Sequence, residues 1–123
     1  MDQTIKEMVV NGITYVPKGT EEQPADKLDG MEYVIVRTYS AGVFAGYLQA
    51  RNGKEVMLRQ ARRIYYWDGA ATLSQLATDG TSKPDNCKFP VAVDKVELTE
   101  VIEVLTTTAK AKRSIDSVKV WAV

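Results

Sequence analysis

Histidine is absent from this 123-residue chain, and cysteine occurs once, at Cys87. Without imidazoles or paired thiolates, the common zinc and transition-metal ligand sets are excluded, and only carboxylates remain, with no calcium-loop spacing among them. The Ser–His and Cys–His pairs of nucleophilic catalysis are excluded as well. A single thiol closes no internal disulfide, which fits a reducing compartment. Neither sign of charge is in excess: 16 basic and 16 acidic residues cancel. A general nucleic-acid binder is expected to be basic overall, so the balance argues against DNA as a partner. Zero net charge also lowers the repulsion that opposes self-association. Long apolar runs are missing too. The first residues, MDQTIKEM, are polar and acidic, so neither a signal peptide nor a membrane span is expected, and a cytosolic location is the simplest reading.

What is present suffices for one compact domain, with 45% apolar residues to supply a core. Residues 5–16 read as a hairpin around Asn11-Gly12, a strong two-residue turn signal. Residues 17–30, with Gly19, Pro24, Gly30 and the acids Glu21, Glu22, Asp26 and Asp29, read as a surface loop. The core is expected over 31–123. Val34, Ile35 and Val36 run together, the pattern of a central strand covered on both faces. Strands over 43–50 and 54–60 form a second hairpin joined by Arg51-Asn52-Gly53. A three-residue loop with Gly53 in the left-handed region would gather Phe44, Gly46, Leu48, Val56 and Leu58 on one face. Further strands are expected over 62–67, 96–106 and 118–123. A short helix begins at the capping sequence Thr72-Leu73-Ser74-Gln75 and ends at Asp79-Gly80, and a second runs over 109–116 behind Thr108. The sum is α+β: a curved antiparallel sheet of about six strands with two short helices.

The densest tract spans residues 33–76 and joins basic side chains to adjacent aromatics. Between Arg37 and Arg63 lie Arg51, Lys54, Arg59 and Arg62 against a single acid, Glu55. Guanidinium forks match phosphate oxygens in two-point geometry. Arg37 ends an apolar strand, so its cation needs a partner, either a carboxylate or a ligand phosphate. Ser40-Ala41-Gly42 lets backbone approach an anion closely, or is simply a tight bend. Tyr65, Tyr66 and Trp67 are consecutive and must face both sides of the chain, which suits a subunit interface or ligand stacking. Phe89, on a loop between Lys88 and Pro90, either stacks on a ligand or closes the core. Cys87 reads as a small packing residue. Asp94, Glu97, Glu100 and Glu103 read as a solvated row rather than a hydrolytic pair. The tract carries no constellation for bond breaking.

The strings VRTYSAGVFAGYL, ARRIYYWDGAATLSQLA and NCKFP resemble the phage and prophage anti-Thoeris proteins. The resemblance covers roughly 31–123. It implies a small β-rich homo-oligomer that binds a cyclic ADP-ribose isomer intact in the host bacterial cytoplasm, so that the immune effector stays off. Some members are also similar to sponges for cyclic oligonucleotide signals. The resemblance implies no enzyme activity and no cofactor, and a site between subunits with arginines on the pyrophosphate and a ring near the base. Carried onto this sequence, the site would comprise Arg37, Ser40, Ala41, Gly42, Val43, Arg62, Arg63, Tyr65, Tyr66, Trp67, Asn86 and Phe89, with Arg113 as a second phosphate contact. Two rival expectations are a phage structural or assembly accessory and a carboxylate-dependent enzyme acting on cyclic nucleotides.

Overall fold

A computed structural model describes residues 23–123 and the backbone of two short strands before them. These two, β1 (Met8–Val10) and β2 (Ile13–Tyr15), pair antiparallel with Val10 opposite Ile13. The rest of the expected hairpin, and residues 17–22 of the acidic loop, lie outside the described residues. Residues 23–30 are not a free loop. Ala25 is buried and its N–H donates to Thr107 O, while Gln23 O accepts from Ala109 N.

The main sheet has five antiparallel strands: β3 (Glu32–Thr38), β4 (Val43–Asn52), β5 (Glu55–Arg63), β6 (Val93–Leu98) and β7 (Val101–Thr106). Their order is β6-β5-β4-β3-β7. Only Thr99 and Glu100 join β6 to β7, although these strands occupy opposite edges. So short a link forces the sheet to coil until its edges converge at one corner. There Val101 N donates to Lys54 O and Tyr39 N to Glu100 O. Bulges in the β4–β5 pairing supply the bend.

Coiling gives the sheet two buried faces. Val34, Val36, Phe44, Val56, Leu58, Leu98 and Val101 fill the inside of the coil. Tyr33, Ile35, Ala45 and Tyr47 point the other way, onto helices α1 (Leu73–Asp79) and α2 (Ala109–Ser117), where they meet Leu73, Leu76 and Ile115. The unbroken Val34-Ile35-Val36 run follows, because β3 is covered on both sides. Both helices are capped as their sequences demand. Thr72 Oγ1 accepts from Gln75 N and Thr108 Oγ1 from Ala111 N. The Gln75 amide oxygen reaches back to Ala71 N, one residue before the cap. Gly80 closes α1 at φ 79°, a left-handed conformation suited to glycine.

The strand count differs from the sequence expectation at three places. Residues 96–106 form two strands rather than one, broken at Thr99-Glu100. The expected strand at 62–67 is the end of β5 followed by irregular chain, with one bridge between Tyr66 and Lys88. The expected closing strand at 118–123 is reduced to a bridge between Val120 and Phe89. One strand is gained and two are lost, so six becomes five. Phe44, Leu48, Val56 and Leu58 do gather on one face, but in a different register, with Leu48 opposite Leu58 rather than Val56. The route to it is a two-residue turn at Gly53-Lys54, with Gly53 at φ 61°, followed by a bulge at Gln49.

Candidate ligand-binding site

Arg37 lies on the same face of β3 as Tyr33 and Ile35, and the β3–β7 register sets Glu103 opposite it. Its Nε donates to Glu103 Oε1 at 3.1 Å, with the two side chains 49% and 40% exposed. The cation's partner is therefore a carboxylate. Its two Nη groups make no hydrogen bond among the described residues. They border an open cleft of about 270 Å³ lined by Arg37, Trp67, Thr72, Leu73, Ser74 and Glu103. Trp67 is held by its Nε1, which donates to Ala70 O at 3.2 Å, and its ring packs against the helix-side core. The cleft thus combines a planar cation with free donors, an aromatic wall, hydroxyls and one carboxylate. These groups suit a phosphate, a base and a sugar hydroxyl, respectively. One such cleft is small for a whole dinucleotide, because enclosing sites run from roughly 300 to 1,000 Å³.

Other expected site residues are placed elsewhere. Arg62 turns away from the cleft and clamps the C-terminal end of α2. Its guanidinium donates to Phe89 O, Pro90 O, Ile115 O and Val118 O at 2.7 to 3.1 Å and lies over the Phe89 ring. Two of those oxygens are helix-terminal carbonyls, the groups a cation stabilises best. Burial pushes the Arg62 pKa down, while Tyr33 and Asp116 push it back up. Phe89 is fully buried and closes the core. Neither residue lines the Arg37 cleft.

Arg63 fastens the bend between β3 and β4, donating from Nη1 to Ala41 O and lying 4.4 Å from the Phe44 ring centroid. The bend itself is satisfied internally: Thr38 Oγ1 donates to Gly42 O and accepts from Ala41 N, and Ser40 Oγ donates to Glu100 Oε1. Ser40, Ala41 and Gly42 form a tight turn held by these bonds. Val43 pairs with Arg37 in the sheet and packs on the core. Asn86 Nδ2 donates to Asp68 Oδ2 at 3.0 Å. That bond and the Gly69 N–H hold the Asp68 carboxyl below its ordinary pKa.

Tyr65 and Tyr66 are exposed and lie outside the Arg37 cleft. Tyr65 stacks on Trp121 with ring centroids 5.0 Å apart, and Lys88 lies over both Tyr66 and Trp121. Arg113 lines a separate cleft of about 360 Å³ with Ala25, Asp26, Tyr47, Ala109 and Lys112. Lys112 caps the edge-on Tyr33–Tyr47 pair and bonds Asp116 at 2.6 Å. Desolvation is the largest single influence and works against its charge, but the Asp116 bond and charge together with Tyr47 outweigh it and the pKa rises. Of the expected set, the structure brings together Arg37 and Trp67. Sequence reasoning misses Glu103 as the partner of Arg37, because one strand over 96–106 does not set the register of its second half against β3. It also missed Trp121, whose place depends on a chain end with little pattern.

The fold and this cleft define a small α+β domain: an open five-stranded antiparallel sheet, two helices on one face, and a shallow cation–aromatic cleft at their border. The chain belongs to the family described as Domain of unknown function (DUF6948), whose model matches residues 31–115. The match takes in every residue of the Arg37 cleft. No curated protein and no solved structure matches the chain. No helix among the described residues is long and apolar enough to cross a membrane.

Proposed function

We propose that this protein is a phage anti-defence sponge that binds a cyclic ADP-ribose isomer, or a related cyclic nucleotide signal, and holds it intact. The observation that carries the reading is the Arg37 guanidinium, whose Nη groups make no hydrogen bond among the described residues, beside Trp67 in one cleft. Arg37 takes a phosphate of the ligand, Trp67 packs against the base, and Glu103 and Ser74 meet ribose hydroxyls. The resemblance of the VRTYSAGVFAGYL and ARRIYYWDGAATLSQLA strings supports the choice of ligand. Because the cleft is open and small, a second copy of the chain completes its walls. Prior placement of the donors lowers the ordering cost of tight binding, and no acid, base or nucleophile is needed. The protein acts in the cytoplasm of the host bacterium, where the signal is made.

A second reading has its own support. The exposed Tyr65, Tyr66 and Trp121 form an interface-like surface suited to a phage assembly accessory with no small-molecule ligand. One experiment separates the two, and an enzyme from both. The protein is mixed with the cyclic ADP-ribose isomer, the free ligand is measured, and the protein is then heat-denatured. Depletion followed by recovery of intact ligand supports the sponge. Depletion followed by degraded ligand makes it an enzyme. No depletion overturns the proposal and leaves the assembly reading.

A further inference from the structure

We propose a second binding surface: the free edge of β6, with the apolar groove beside it, takes an extended acidic and apolar peptide segment of another protein as an added strand. β6 pairs with β5 on one side, and no strand among the described residues covers its other side. Beside it runs a groove of about 370 Å³ whose walls include Phe44, Ala61, Pro90, Val91 and Val93. Val91 and Val93 are 63% and 47% exposed, unusual for valines near a strand edge. An unpaired edge with apolar pockets at alternate positions is the geometry that accepts a peptide in β form.

Charge identifies the occupant. Arg63 stands at the groove, bonded to Ala41 O and stacked on Phe44, and has no carboxylate partner among the described residues. Lys88 rests over Tyr66 and Trp121, again without a carboxylate. Arg63 on the groove wall and Lys88, two residues before the Pro90 wall, have no ion pair among the described residues, and they call for a partner that alternates acidic and apolar side chains. The same face of a second copy is a poor occupant, since it would bring Arg63 and Lys88 against their own like charges. Of the charged residues on β6, Asp94 is already engaged: its side chain and carbonyl both accept from Arg59. This surface is independent of the Arg37 cleft. Arg37 shares the Tyr33 and Ile35 face of the sheet, whereas Arg63 stacks on Phe44 of the opposite core.

The test uses labelled heptapeptides and fluorescence anisotropy on the full chain. One peptide alternates Val and Glu, a second replaces every Glu by Lys, and a third carries a central Pro. The Val–Glu peptide is expected to bind at least about tenfold more tightly than either control. Lys88→Glu and Val93→Asp, both at exposed positions, are each expected to weaken it by a similar factor while the circular dichroism stays unchanged. Arg37→Ala is expected to leave it alone, which separates this surface from the proposed nucleotide cleft. On binding, outward amides of β6 should exchange more slowly. Equal binding of the Lys peptide, or no saturation up to about 1 mM, overturns the proposal. So does self-association of the chain that Lys88→Glu abolishes, which would give the face to a second copy.

Discussion

Arg62 and Arg37 are both strand-end arginines in the same basic tract, yet their surroundings differ in kind. Around Arg62, four carbonyls from the Phe89-Pro90 segment and the end of α2 consume the guanidinium. Around Arg37, one carboxylate takes Nε and leaves the rest of the fork facing an open cleft. The lesson concerns what opposes each cation. A buried carbonyl cluster makes an arginine part of the architecture, and a half-exposed carboxylate beside a ring leaves it available. Adjacent Arg63 falls between the two, holding a turn by one bond while its ring contact stays at the surface.

If that contrast is right, substitutions should separate stability from binding. Arg62→Met should have the largest effect on the fold, because it strands several carbonyls that have lost a charged donor. A loss of about 2 to 4 kcal/mol is expected in urea unfolding, and lysine should not rescue it, since one ammonium cannot replace the planar fork. A loss below about 0.5 kcal/mol would show that water replaces the clamp. Next comes Gly80→Ala, which sharpens the comparison by attacking the helix layer elsewhere. Gly80 sits at φ 79°, and an added Cβ would collide with the Ser114 side chain. More than about 1 kcal/mol should be lost by the same measurement. Arg37→Ala should barely move stability, by no more than about 0.5 kcal/mol, because exposed ion pairs contribute little. Ligand depletion should nevertheless disappear.

The smallest effect expected is a pH dependence at Asp68. Its folded pKa is depressed, chiefly by the Asn86 bond and then by Gly69 N–H. A depressed carboxyl stabilises the fold above its unfolded value, near 3.9, and that contribution fades as pH falls through the lower folded value. Asp68→Asn should therefore be less stable than the parent near neutral pH and equal to it in strong acid. A difference that persists in acid strong enough to protonate the carboxyl in both folded and unfolded chains would assign the effect to packing.

Much of the fold could be read in the chain because its signals are local. The Val34-Ile35-Val36 run, the Thr72 and Thr108 caps, Gly80 and the apolar face shared by Phe44, Val56 and Leu58 each follow from neighbouring residues. The break at Thr99-Glu100 was hidden because it depends on the coil of the sheet: β-branched residues continue on both sides of it while the two strands go to opposite edges. The site was less legible than the fold. Side-chain type identified every basic and aromatic candidate, but nothing local tells that Arg62 meets carbonyls 27 to 56 residues away. Nor does it tell that Phe89 is fully buried whereas Tyr65 is exposed. Arg37 and Trp67 meet because β3 ends where the chain enters α1, a conjunction set by tertiary packing.

The most direct measurement is a calorimetric titration of the cyclic ADP-ribose isomer into the wild-type protein and Arg37→Ala under identical conditions. The proposed cleft predicts saturable binding to the wild type, with the ligand recovered unchanged, and no detectable binding to an equally folded variant. No binding to the wild type, or equal affinity in the variant, would contradict it.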